Sequence, residues 1–280
     1  TVGKICMADL FDNNRYSHDP RTQFLSWGLM DNGAWDYSAN VRGYTPAFAV
    51  ELFKGRNEFR YAFSLLPEEA NVGTMNWDIG KSRGQMAEYV HNYKVGGHPG
   101  AVRVLAFLNT AGMGNYRESI ALDPTAPSII ATREDGRTKW GIGLNAEQEF
   151  TKDLGGFLRE GWNDGTNETW CFTEIDQQVS GGLALNGTLW HRPKDVVGLA
   201  FIVSGISDAH KDYLAAGGNG FILGDGALTY AYEKLAEFDY SCALRDGIWL
   251  SGAYQFVADP GYNSARGPVN VFSLRLHAEI

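Results

Sequence analysis

Apolar and polar residues alternate with a period of two through much of the chain, the mark of strands that keep one face in apolar surroundings. Residues 57–65 put Phe59, Tyr61, Phe63 and Leu65 on one face and Glu58, Arg60, Ala62 and Ser64 on the other. The stretch 139–150 is the longest and cleanest. Trp140, Ile142, Leu144, Ala146 and Phe150 share one face, broken by Gln148, against Lys139, Gly141, Gly143, Asn145, Glu147 and Glu149. Residues 237–244 and 271–280 repeat the pattern. Weaker alternation adds 1–7, 45–53, 85–95, 101–109, 154–163, 169–175, 179–187, 196–204 and 248–257, and about twelve strands are expected. Helical character is confined to 22–30 and 208–216.

The connectors come in two kinds. Short ones carry turn residues, as in Gly55-Arg56-Asn57, Gly96-Gly97-His98-Pro99-Gly100, Lys152-Asp153-Leu154-Gly155 and Arg245-Asp246-Gly247. Long ones, rich in Gly, Asn, Asp, Pro and aromatics, cover 8–44, 66–84, 110–137, 205–227 and 258–267. Long and short alternate for much of the chain, as in an up-and-down β-barrel with turns at one rim and loops at the other. No repeat, low-complexity tract or linker divides the chain, so residues 1–280 are expected to form one domain.

Composition narrows the function. The 280 residues carry a net charge of −9, a poor match for general nucleic-acid binding, which needs a basic stripe. The 34 Gly, 8 Trp, 13 Tyr and 15 Phe suit a β-rich chain with many turns. Cys6, Cys171 and Cys242 form no C-x-x-C pair, and the six His form no H-E-x-x-H motif, so neither metal nor cofactor is expected. No apolar run reaches the ~18 residues of a membrane helix, but barrel strands never form such a run. Two architectures remain, a membrane barrel and a soluble β-sandwich or jelly roll. The barrel is favoured by polar faces that are ionic and Gly-rich, and by aromatics near strand ends: Trp140, Phe150, Trp162, Trp170, Trp249, Tyr254 and Phe256.

The C-terminal third sharpens this. The run Tyr213-Leu214-Ala215-Ala216-Gly217-Gly218-Asn219-Gly220-Phe221-Ile222-Leu223-Gly224-Asp225-Gly226 resembles a signature of the carbohydrate-selective porins of bacterial outer membranes, the OprB-like family. So do Tyr254-Gln255-Phe256, Asp259-Pro260-Gly261-Tyr262-Asn263, Arg266-Gly267-Pro268-Val269 and the terminal Phe272–Glu279. Asp9-Leu10-Phe11-Asp12-Asn13-Asn14, Ser17–Leu25, Asn32–Tyr37 and Gly161-Trp162-Asn163-Asp164-Gly165 extend the match over nearly the whole chain. The resemblance implies an all-β, antiparallel transmembrane barrel in the outer membrane. Its function would be passive, sugar-preferring diffusion of small carbohydrates, without enzymatic activity. It also implies lipid around the barrel, the barrel assembly machinery as a reader of the C-terminal strand, and a homo-oligomer as one assembly open to it. Members have a larger barrel, so this chain reads as the C-terminal part, without signal peptide and first strands. Two positions depart from the family pattern: the chain ends on Ile280 rather than Phe, and Glu160 falls on the lipid face between Leu158 and Trp162.

A sugar channel needs a constriction that replaces sugar hydration, with aromatic faces for the apolar side of a pyranose. The inner strand faces offer Arg60, Asn145, Glu147, Glu149, Arg159 and Arg275, together with Glu58 and Lys139. The 8–44 segment offers His18, Asp19, Arg21, Trp27, Trp35 and Asp36, and is expected to fold into the lumen. Each has a plainer reading. His18-Asp19-Pro20-Arg21 suits a capped turn that starts a helix, the two glutamates suit simple solvation, and the tryptophans suit packing. A glycosidase pair at Glu147 and Glu149 has nothing but i, i+2 spacing behind it. The sequence leaves a soluble carbohydrate-binding sandwich, and a structural barrel without transport, as alternatives.

Overall fold

In the computed structural model, which describes residues 1–279, twelve strands form one sheet in strict chain order, every neighbour antiparallel. They are β1 (Val2–Ile5), β2 (Thr45–Lys54), β3 (Asn57–Ser64), β4 (Arg83–Val95), β5 (His98–Ala111), β6 (Arg137–Glu149), β7 (Leu154–Asn163), β8 (Gln177–Gly187), β9 (Arg192–Gly205), β10 (Glu233–Arg245), β11 (Ile248–Ala258) and β12 (Val269–Ala278). Short turns join β2 to β3, β4 to β5, β6 to β7, β8 to β9 and β10 to β11; every other connection is long. All turns therefore lie at one end of the sheet and all loops at the other. Among the described residues β1 and β12 do not pair with each other, so the sheet is an open arc with two free edges. Ile280, whose place at the terminus departs from the family pattern, lies outside the described residues.

The register explains the alternation. Outward positions carry exposed apolar side chains across neighbouring strands: Val104, Ile142, Leu158, Val179 and Phe201 among them. Most inward positions are polar, small or glycine, many of them buried although ionic, while Met86, Leu105, Phe107, Phe157 and Ile202 pack inward against the loop between β1 and β2. That inversion, apolar outside and polar inside, is what a lipid-facing barrel wall requires. Strands β2 to β12 run 8 to 14 residues, enough to cross a bilayer when tilted. Trp140 and Trp162 meet edge to face at 5.1 Å on the outer side near the loop end, where an interfacial girdle belongs. Glu160 keeps the outward facing that alternation gives it, exposed beside Leu144 and Val179. It lies one outward position below Trp162, about 7 Å along the strand, so its carboxylate is close to the interface.

Several expected elements are corrected. Residues 169–175 form no strand. The backbone N–H groups of Trp170, Cys171 and Phe172 all donate to the Asp36 carboxylate, at 2.9, 2.8 and 3.0 Å, which curls the chain around one side chain. Trp170 is thereby buried rather than placed in the girdle, and Trp249 faces the inner side of β11. The expected helix 22–30 shrinks to α1 (Trp27–Met30). The inner wall takes up the groups a longer helix would need. Glu237 accepts from the N–H groups of Leu25 and Ser26 at 2.6 and 3.0 Å, and Arg275 donates to the Gln23 carbonyl at 3.0 Å. The loop between β5 and β6 holds an unexpected α2 (Tyr116–Leu122), capped by Asn115, which accepts from the N–H of Glu118 at 3.1 Å. Helix α3 (Asp208–Ala215) stands where expected.

Candidate functional site

The loop between β1 and β2 turns inward and lies against the concave face of the sheet. Residues 31–40 are buried without exception, as are Met7, Phe11, Phe24 and Leu29. Its anchors come from strands far apart in the sheet, which requires the sheet to curl around it. Asp12, at φ +55°, is the hub. One Asp12 oxygen accepts from Asn145 at 2.7 Å; the other accepts from the Asn32 N–H at 2.7 Å and pairs with Arg159 at 3.0 Å. The Asp12 N–H donates to Glu88 on β4 at 2.7 Å. Gln178 on β8 accepts from the Gly33 N–H at 2.9 Å and donates to the Gly28 carbonyl at 3.1 Å. Glu237 on β10 and Arg275 on β12 hold 23–26 as described above.

Close approach needs glycine in the wall. A Cβ on Gly161 would lie 1.9 Å from the Asn32 Oδ1, and one on Gly143 would lie 2.2 Å from its Nδ2. The inward glycines of β6 and β7 thus form a slot for one asparagine.

This geometry divides the expected site residues. Arg159 is wholly buried; it donates to the Asp12 and Ser17 carbonyls at 3.0 and 2.7 Å and to that of Leu29. Asn145 is 2% exposed and Trp35 0%. These three are excluded from a water-filled lumen because the folded-in segment covers them; they hold it. Asp36 and Lys139 are buried likewise, Lys139 pairing with Asp176 at 3.1 Å under the outer loops. Arg60 bridges three carboxylates, Glu51 at 3.2 Å, Glu88 at 3.0 Å and Glu58. Glu147 accepts from the Arg15 N–H at 2.8 Å and from Arg103 at 3.1 Å; Glu149 pairs with Arg15 at 2.8 Å and His98 at 3.1 Å. Both glutamates are engaged by cations and neither is placed as an acid–base pair would be. Arg275 stands at the far edge, partly buried.

The opposite face of the segment is free. Arg21 and Trp27 are exposed, and His18 and Asp19 partly so. Arg21 pairs with Asp19 at 2.7 Å. His18 lies 3.3 Å from Asp31. Burial opposes its protonation, but the Asp31 carboxylate prevails and raises His18 above the ordinary histidine value. Trp27 stacks on Phe172 at 5.5 Å with planes 20° apart, and Phe172 meets Tyr37 at 4.5 Å. Together with Asn40 and Asn71 these rings line a cavity of about 230 Å³ at the loop end. Phe172, Asn40 and Asn71 were not foreseen; the aromatic ledge is assembled from three loops and has no local signal.

The sequence model of the carbohydrate-selective porin, OprB family, matches residues 1–279. Among solved structures, the high-pH structure of Pseudomonas putida OprB is similar with a TM-score of 0.77 and 18% identity, covering 99% of this chain and 68% of that one. The outer membrane channel DcaP of Acinetobacter baumannii is similar with a TM-score of 0.49 and 11% identity, covering 93% of this chain and 68% of that one. No curated protein sequence matches the chain.

Proposed function

The chain belongs to the carbohydrate-selective porin family, and we propose that its solutes pass along the free face of the folded-in segment, over Trp27 and past the Asp19–Arg21 pair. It is an outer-membrane channel, not an enzyme, and the solutes of its family are carbohydrates.

The observation that carries the path is the two-sidedness of segment 8–44. One side is pinned to β4, β6, β7, β8, β10 and β12. The other presents an exposed aromatic ring and an exposed ion pair to the interior of the arc. A pyranose sliding over this face finds an apolar platform in Trp27 and Phe172. It finds hydrogen-bond partners in Asn40, Asn71, Asp19 and Arg21 that replace its lost hydration. A fixed pair of opposite charges favours dipolar, hydroxyl-rich solutes over apolar ones. None of these groups binds strongly alone, which suits a conduit that must release its cargo. Lipid along the apolar outer face, the assembly machinery at β12 and a homo-oligomeric state are further proposals; cross-linking in outer membranes tests the last.

Liposome swelling tests the path. Trp27→Ala and Arg21→Ala are each expected to slow hexose entry relative to small ions, Trp27→Ala more strongly. Unchanged relative rates in both variants would overturn the assignment.

A further inference from the structure

Along the inner face of β10, Glu237 is satisfied by segment 8–44, and Ser241 accepts a hydrogen bond from Ser251 at 3.0 Å. Asp239 between them is different. The residue is 3% exposed, yet its carboxylate accepts no hydrogen bond and joins no ion pair within 4.0 Å among the described residues. A buried carboxylate without a donor is costly. It faces a cavity of about 210 Å³ at the short-turn end, also lined by Tyr16, Phe24, Trp249, Glu149 and Lys194. This cavity is separate from the ledge around Trp27, and the two share no lining residue.

Gly198 brings the carboxylate and an aromatic ring to one spot. A Cβ there would lie 2.1 Å from the Asp239 Oδ1 and 2.9 Å from the Phe24 ring. Gly155 does the same for Tyr16, whose ring would lie 2.0 Å from an added Cβ. Trp249 closes the turn end, its ring 5.5 Å from that of His277. The cavity thus holds unused acceptor oxygens beside aromatic faces, with Lys194 and Glu149 opposing each other in sign at its rim.

We propose that this cavity is a second solute subsite, specific for a neutral polyhydroxylated ring, in which Asp239 accepts from vicinal hydroxyls and Phe24 and Trp249 cover the apolar face. The lining sets Arg15, Lys152 and Lys194 against Glu149, Asp153 and Asp239, so the wall carries no net charge to attract an ion, and a hydrocarbon leaves Asp239 without a donor. A pyranose satisfies the carboxylate and the rings together. A solute leaving the ledge at the loop end is then held again before it exits at the turn end.

The subsite rests on the chain being a sugar channel, and the test separates the two. The full-length protein is reconstituted in planar bilayers, and glucose is added to one side at a time while block of the ion current is recorded. Asp239→Ala and Trp249→Leu are each expected to raise the half-blocking glucose concentration from the turn side about tenfold, the loss of one charge-assisted hydrogen bond or ring contact. Gly198→Ala, which displaces the carboxylate without removing it, is expected to act in the same direction. Wild-type block by glucose from the turn side with all three variants at the wild-type concentration overturns the subsite and leaves the channel reading intact. No sugar block or flux in the wild type overturns both.

Discussion

Replacing Arg159 with Met removes the most heavily used anchor of the folded-in segment. The guanidinium is wholly buried, pairs with Asp12 at 3.0 Å and donates to three carbonyls of the segment. Methionine keeps much of the volume but supplies no donor. The Asp12 carboxylate then keeps its bonds from Asn145 and the Asn32 N–H but loses its countercharge. Removing one partner of a buried ion pair costs about 3–5 kcal/mol. The strand bonds of β7 are unaffected, so the cost falls on docking of the segment. The undocked fraction should rise roughly 10²- to 10⁴-fold. Hydrogen exchange reads this directly at the amides of Asp12, Asn32 and Gly33, which are bonded to Glu88, Asp12 and Gln178. Their protection should fall by that factor while the amides of β7 keep theirs, and single-channel recordings should show excursions to a larger conductance. Wild-type protection at all three amides would refute the claim that the pair holds the segment.

Three further outcomes follow from the same geometry. Gly161→Val should undock the segment as Arg159→Met does, because its Cβ would fall 1.9 Å from the Asn32 Oδ1; proteolysis at Arg15 and Arg21 reads the release. Glu160→Leu should stabilise the barrel by at most about 1 kcal/mol, since a lipid-facing charge near an interface costs about 0–1 kcal/mol; urea titration in lipid vesicles measures it. His18 has a folded pKa raised above its unfolded value, so its pairing with Asp31 contributes fully below the unfolded value of about 6.5 and is lost as pH climbs through the folded pKa. Exchange protection of 17–31 should therefore weaken as pH rises from about 6.5 through the folded pKa, and His18→Gln should remove that pH dependence.

The strands were legible because lipid imposes one rule on every outward position. Period two identified β3, β6, β10 and β12 directly, and the alternation of long and short connectors gave their order. The stretch 169–175 misled because Trp170, Cys171 and Phe172 are apolar for another reason: they pack beneath the loops, bound to a distant Asp36. Helix α2 had a readable cap in Asn115 and Glu118, hidden within a long polar loop.

The site was legible by residue type and not by role. Arg159 and Arg21 are both offered to the lumen by the sequence, one on an inner strand face and one in the 8–44 segment. One is sealed beneath segment 8–44 and the other is free, a difference fixed by how that segment folds across the inner face from β4 to β12. The inward glycines held the missing signal. Gly143, Gly161, Gly155 and Gly198 mark where something must approach the wall closely, and the occupants are Asn32, Tyr16 and Phe24. Asp239 was passed over because an inward carboxylate suggests solvation, whereas here it is 3% exposed and accepts no hydrogen bond from the protein.

The central claim is that segment 8–44 folds into the barrel and gives the channel its preference for sugars. Liposome swelling with a hexose and with size-matched apolar and ionic solutes tests it most directly, comparing the full-length protein with a variant in which residues 13–30 are replaced by a short Gly-Ser bridge. The account predicts that the full-length protein admits the hexose faster than either comparison solute, and that the shortened variant admits all three at rates set by size. Retained hexose preference in the shortened variant would contradict it.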